Sequence, residues 1–274
     1  MRERKDLAFM REQKSFHKGG DEMKIFIDPG HGGNSVGATY KGRWEQDDCL
    51  RLSLAVKSIL ETQKEVEVKL SREDNSNPSI NERAAAANIW GADYFISIHR
   101  NAFSPNKAKG VEAWVYSRAK KGGPAFSKAE NIVNKVCDKA GFLNRGVKSG
   151  APSYADFGVN RLTKMNSCLF EAGFIDSDAD NVLFDTAFSE MALGIAEGLL
   201  EAVGLEYISP VISGDADGDG KITAADARLI LRAAVGLENI PLERGDVDGD
   251  GKITASDARA VLKESVKGEG NENE

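Results

Sequence analysis

YFISIHRNA, residues 94–102, decides the fold. Tyr94 to Ile98 make a near-continuous apolar run, the mark of a strand buried on both faces, and the run ends on a histidine. Working outward, KIFID (24–28) and VEVKL (66–70) read as further strands, VEAWVY (111–116) alternates, and SCLFEAGFI (167–175) is another apolar strand. Helical spacing lies between them. QDDCLRLSLAVKSILETQ (46–63) places apolar side chains at Leu50, Leu54, Ile59 and Leu60. Ser79 with Glu82 opens a capping box for SINERAAAANIWG, which stops at Gly91. A further helix is expected from Pro124 to Lys139 and a last one over 186–203. NRGVKSGAPSYADFGVNRLTKMN (144–166) reads as a loop. Strand and helix in alternation predict an α/β fold, a mixed and mostly parallel sheet flanked by helices.

With 274 residues, 41% hydrophobic and 29% charged, the chain has room for one sizeable domain and a smaller one. No run approaches the roughly 18 to 20 apolar residues of a membrane span, so no transmembrane segment is expected. A net charge of −7, without a basic stripe carrying aromatics, argues against nucleic acid as a partner. Cys49, Cys137 and Cys168 are too few and too scattered for a disulfide framework or a CxxC metal pair, and read as core thiols. The charged start, residues 1–22, holds an incidental His17 and no apolar core of a signal peptide; it reads as a disordered extension, leaving the export route open. The expected boundaries follow: a first domain over 23–205, a linker over 206–212, a second domain over 213–268 and a disordered tail over 269–274.

Two of the three histidines stand at corresponding places. His31, in IFIDPGHGG (25–33), and His99 both follow the C-terminal ends of predicted core strands, the edge where open α/β sheets gather their ligands. Singly, each reads as a satisfied core histidine; together they point to a shared metal. Glu45, opening the first helix, is the best third ligand, although a carboxylate there also suits the helix dipole. Two histidines, a glutamate and an open position make a catalytic zinc set, which polarises a carbonyl and lowers the pKa of a water to about 7. Such chemistry needs a proton-carrying carboxylate, and Glu171, inside an apolar strand that raises its pKa, is the candidate. The alternative is a structural carboxylate paired with an arginine. Glycines 30, 32 and 33 let the chain turn tightly beside His31, and Asp28 is expected to orient its imidazole.

The clearest repeat is GDADGDGKITAADARLIL (214–231) against GDVDGDGKITASDARAVL (245–262). Asp215, Asp217 and Asp219, and then Asp246, Asp248 and Asp250, occupy positions 1, 3 and 5 of a calcium loop, with a turning glycine at position 6. Lys221 and Lys252 offer backbone carbonyls at position 7, and Thr223 and Thr254 act at position 9 directly or through water. Asp226 and Asp257 stand at position 12, where the EF-hand pattern wants glutamate. All-oxygen donors suit calcium, two ions in all. So small a domain buries little core, and calcium is expected to be a main source of its stability.

These residues carry two resemblances. DPGHGG (28–33), Glu45, SRED (71–74), ERAAAAN (82–88), FISIHRNA (95–102), GVEAW (110–114) and FEAGFID (170–176) come in the order seen in zinc-dependent N-acetylmuramoyl-L-alanine amidases of the Amidase_3 type, over residues 24–203. The repeat, over 213–268, resembles a dockerin domain, with other two-EF-hand proteins as the alternative. The first resemblance implies one zinc on His31, Glu45 and His99, Glu171 as base, and hydrolysis of the amide joining N-acetylmuramic acid to L-alanine in peptidoglycan. The second implies an all-α domain with two calcium ions, docked to the cohesin module of a scaffold protein through the helices beginning at Ala224-Ala225 and Ala255-Ser256. Both imply work outside the cell or at its wall. Arg100 and Asp176 depart from the family pattern and are expected to tune which stem peptide is accepted. Arg72 with Asp74 is expected to be a fold-supporting pair and Glu112 a supporting carboxylate. Lys148, Arg161 and Asn101 are the expected substrate contacts. A non-catalytic peptidoglycan binder and a zinc hydrolase for another amide remain the alternatives.

Overall fold

The computed structural model describes residues 22–151 and 154–269, so the expected 1–22 extension and 269–274 tail lie, but for one residue each, outside it. The chain divides into two units between Tyr207 and Ile208.

In the first unit β1 (Met23–Pro29) lies between β4 (Val66–Leu70) and β5 (Tyr94–Asn101), parallel to both. β5 then pairs in parallel with β8 (Asn166–Phe174), and β6 (Val111–Val115) runs antiparallel to β8 and parallel to β7 (Asn144–Ser149). The six-stranded order is β4-β1-β5-β8-β6-β7.

Strand parity splits the core in two. Ile25, Ile27, Ile96, Ile98 and Phe170 face α1 (Glu45–Leu60), α3 (Pro124–Ala140) and α6 (Phe188–Ala202) in the larger cluster. Each such fully buried side chain contributes about 1.5–3 kcal/mol. Phe26, Phe95 and Leu169 face the other way, onto α2 (Ile80–Trp90) and α4 (Gly158–Leu162). Those two helices are short, eleven and five residues. They cover only part of that face, and the polar side chains of the same parity are left at an open edge.

Local signals explain the helix ends. Ser79 and Glu82 make the expected capping box, and Gly91 closes α2 at φ +75°, a conformation glycine adopts without strain. Three elements depart from expectation. The stretch 144–166 holds β7 and α4: among the described residues β7 is an edge strand paired only to β6, so its polar residues show no buried alternation. The last expected helix, over 186–203, is α6, and a helix the sequence did not announce, α5 (Asp178–Thr186), capped by Ser177, precedes it. A small hairpin, β2 (Thr39–Tyr40) and β3 (Arg43–Trp44), turns at Lys41 and Gly42, both at positive φ.

The second unit consists of α7 (Ala224–Ala234), α8 (Leu242–Gly245) and α9 (Ala255–Glu269), with a loop before α7 and another before α9. Its buried apolar residues are Ala216, Ala227, Ile230, Ala258 and Val261. Among the described residues, no helix is long and apolar enough to cross a membrane.

Candidate active site and metal centres

Three elements bring His31, Glu45 and His99 together. His31 follows β1, Glu45 is the first residue of α1, and His99 lies near the C-terminal end of β5, where the register with β8 shifts. His31 Nε2 is 3.2 Å and His99 Nδ1 3.0 Å from Glu45 Oε1, and the two rings meet edge to face at 4.9 Å. One donor atom from each lies within 4.8 Å of the others. Two imidazoles and a carboxylate converging on one point form a donor set that fits a small divalent metal. Both oxygens of Glu45 also accept backbone N–H groups, from Ala38 at 2.7 Å and Arg100 at 3.1 Å. Burial works against its charge, but the hydrogen bonds to His31 and His99 outweigh it and hold Glu45 well below the usual carboxylate range. Space is rationed by glycine: a Cβ on Gly30 would overlap the His99 ring.

The turn carrying His31 is held from behind. His31 sits at φ +61°, a left-handed conformation that costs a non-glycine residue free energy. Three successive carbonyls there face two buried arginines. Arg72 donates to Pro29 O at 3.1 Å and Gly30 O at 2.8 Å, and Arg83 to Pro29 O and His31 O at 2.7 Å each. Arg72 also ties in α1 through Gln46 O, and Arg83 pairs with buried Asp28 at 2.6 Å. Two expectations are corrected here. Asp28 binds Arg83, Ser71 and Ser97 and does not touch the imidazole; Ser35 Oγ lies 3.3 Å from His31 Nδ1. Arg72 reaches the backbone carbonyl of Asp74, and its other bonds hold the turn and α1. The role of Arg83 went unread, because nothing in ERAAAAN separates an inward arginine from a solvated one.

Glu171 stands on β8 directly across from His99. Its Oε2 is buried with no hydrogen-bond partner among the described residues. Burial, with Glu45 and Glu112 nearby, pushes it well above the usual carboxylate range. It lines a cleft of about 560 Å³ with His31, His99, Asn101, Ile80 and Phe157.

Of the expected substrate contacts, Asn101 lines this cleft. Lys148 does not; its Nζ is 2.5 Å from buried Glu112, which also takes Arg145 at 2.6 Å. Arg161 pairs with Asp156 at 2.7 Å, off the cleft lining. Arg100 and Asp176, expected to tune the stem peptide, make contacts within the scaffold. The Arg100 side chain is buried on Asp48, Asn181 and the Phe184 ring. The Asp176 carboxylate takes the N–H of Phe103 and its backbone carbonyl that of Asn106, which fastens the loop after β5.

The second unit's loops repeat the same backbone bonds to their aspartates, while Arg244 adds an ion pair to Asp215 in the first loop. Asp215 accepts the N–H groups of Gly218, Asp219 and Gly220, and Asp246 those of Gly249, Asp250 and Gly251. At position 12, Asp226 accepts from Ala216, Asp217 and Thr223, and Asp257 from Val247, Asp248 and Thr254. Asp215, Asp217 and Asp226 form one potential cation cluster, and Asp246, Asp248 and Asp250 another. Lys221 and Lys252 give N–H groups to the position-5 aspartates, which leaves their carbonyls for other partners.

A mostly parallel sheet with two histidines and two carboxylates gathered at its C-terminal edge is the layout of a hydrolase. The chain belongs to the N-acetylmuramoyl-L-alanine amidase family, whose pattern matches residues 25–201, and residues 213–264 match the dockerin type I domain. The sporulation-specific N-acetylmuramoyl-L-alanine amidase of Bacillus subtilis (strain 168) is 38% identical over 190 residues, 68% of this chain and 71% of that protein. The N-acetylmuramoyl-L-alanine amidase CwlM of Bacillus licheniformis is 37% identical, over 67% of this chain and 70% of its own. Among solved structures, the N-acetylmuramoyl-L-alanine amidase from Clostridium difficile 630 superposes with a TM-score of 0.62 at 30% identity, covering 67% of this chain and 98% of the other.

Proposed function

We propose that this peptidoglycan amidase is zinc-dependent, with one ion held by His31, Glu45 and His99, and cuts the amide between the lactyl group of N-acetylmuramic acid and L-alanine. The observation that carries this reading is the convergence of those three side chains at the cleft with Glu171 directly across from His99. Zinc bound there supplies the Lewis acidity that polarises the scissile carbonyl and makes water a nucleophile near neutral pH. Glu171 takes the proton of the attacking water and delivers it to the leaving amine of L-alanine. Its water-poor setting keeps the carboxylate basic enough for both transfers. Arg72 and Arg83 keep His31 in register with His99, so the donors are placed before substrate arrives. Incubation with purified peptidoglycan and zinc should release stem peptides, read by mass spectrometry. Glu171→Ala should abolish release while zinc content stays the same; full activity in that variant would sink the mechanism.

The second unit, in this proposal, binds one calcium in each loop and docks onto the cohesin module of a scaffold protein, which places the enzyme outside the cell at the wall. The paired helices support a partner surface. Ala227 with Ala258, Arg228 with Arg259 and Leu231 with Leu262 line one groove in matched positions, the two leucines about half exposed. Calcium-dependent co-migration with a purified cohesin tests it, and binding that persists in EDTA would count against it.

A further inference from the structure

The sheet face that carries the cleft does not end at Glu171. His99, Glu171 and Glu112 stand directly opposite one another across β5, β8 and β6, and so share one face. The next row on that face runs Leu169, Trp114, Lys148 across β8, β6 and β7. Glu171 and Leu169 line the cleft, and their cross-strand neighbours Glu112 and Trp114 carry the same face on towards β7, as a shelf that starts beside the cleft lining. Glu112 is its buried centre: Oε2 takes Arg145 and Lys148, while Oε1 takes Trp114 Nε1 at 2.9 Å and Asn101 Nδ2 at 3.1 Å. Lys148 also rests on Trp114, its Nζ 5.4 Å from the ring centroid. Arg145 and Lys148 each keep about a third of the side chain exposed.

Charge counting gives the shelf its chemistry. One carboxylate faces two cations, so the cluster carries one net positive charge at the sheet edge. Its remaining donors are free to meet an anion that replaces water. We propose that this shelf is a specificity subsite for a carboxylate of the stem peptide, the one on its second residue. The reach agrees. Lys148 Nζ lies within roughly two strand spacings, about 10 Å, of Glu171, and two residues of extended peptide span roughly 7 Å from the scissile amide. Glu112 sets how much charge is offered and holds both cations, Lys148 over Trp114 and Arg145 over Phe174.

This inference rests on the amidase reading and is tested with two soluble muramoyl-peptides differing only in a free or amidated carboxylate at the second stem residue. The full chain loaded with zinc is assayed for KM and kcat on each, with folding checked by thermal melts. The parent should favour the free carboxylate by about tenfold in KM, the scale of one charge-assisted contact. Lys148→Met leaves the Glu112–Arg145 pair intact and cancels the net charge, so the preference should fall to about one. Glu112→Gln raises the net charge and should increase the preference several-fold. A purely structural role would move both variants the same way, in kcat as well as KM. Equal KM for the two substrates in the parent, or a fall in preference in both variants, overturns the subsite. Failure of the parent to cut either substrate overturns the amidase reading itself, and this inference with it.

Discussion

The two units hold their candidate metal sites by opposite means. In the first, three ligands are delivered by separate elements over a large core, and buried arginines fix the turn beneath one of them. In the second, all the acidic ligands belong to two short loops whose backbone N–H groups wrap their own aspartates, over five buried apolar residues. The first candidate site is assembled by the fold; in the proposal above, the second unit's fold depends on the ions its loops would hold. Removing metal is the widest way to break this contrast. With EDTA, the calorimetric transition of the second unit should vanish, because eight loop aspartates then repel one another over a core too small to compensate. The transition of the first unit should move by only a few degrees. Loss of both, or of neither, would erase the distinction.

The arginines give the next largest effect. Arg83 satisfies Pro29 O, His31 O and Asp28 through one planar group, a geometry that an ammonium cannot copy. Arg83→Lys should weaken zinc about 10- to 100-fold by chelator competition, as expected for a group that orients a ligand, while near-UV circular dichroism stays native. Arg83→Met leaves Asp28 charged and buried, and should cost about 3–5 kcal/mol in denaturant melts. Unchanged zinc affinity in Arg83→Lys would mean that the His31 turn holds itself. Gly30→Ala is a smaller probe of the same packing. Its methyl must displace the His99 ring, at about 1–3 kcal/mol of overpacking, and both stability and zinc affinity should fall together.

How legible each site was in the sequence follows from the same contrast. The aspartate loops lie in one contiguous stretch, so their spacing alone pointed to the candidate clusters that the structure brings together. His31, Glu45, His99 and Glu171 are scattered, but the first three sit at or near strand or helix ends and Glu171 inside a strand, all of which apolar periodicity locates. What failed to show were contacts between elements. The β7 strand, NRGVKS, has no alternation, because among the described residues it pairs with β6 alone and its side chains face half-open surroundings. Arg83 lies in an alanine-rich helix whose first turn would tolerate an exposed arginine equally well. Arg145 was missed for a related reason: its meaning depends on Glu112, far off in sequence and adjacent only in the folded sheet.

Acid should separate the units by sign, and this is the finest of the tests. Burial, joined by Glu45 and Glu112, raises Glu171, so in metal-free protein its contribution to stability is full below the unfolded carboxylate value, about 4.3, and is lost as pH rises through the raised value. Glu171→Gln should therefore stabilise the first unit at pH 8 relative to the parent and do so much less at pH 4. The same shift predicts that parent activity climbs with pH through a midpoint above 4.3, since the base must be ionised to take a proton. For Asp226 and Asp257 burial also opposes charge, but the hydrogen bonds from Thr223 and Thr254 outweigh it and lower both. Their contribution is present above the unfolded aspartate value, about 3.9, and is lost as pH falls through the lowered one. On acidification below about pH 4, the calcium-loaded second unit should lose melting temperature while the metal-free first unit gets no destabilisation from Glu171. If Glu171→Gln gives the same stability difference at pH 4 and pH 8, that carboxylate is not held in a water-poor setting. The first unit would then lack the cost that a prebuilt active site carries and an ion-built loop does not.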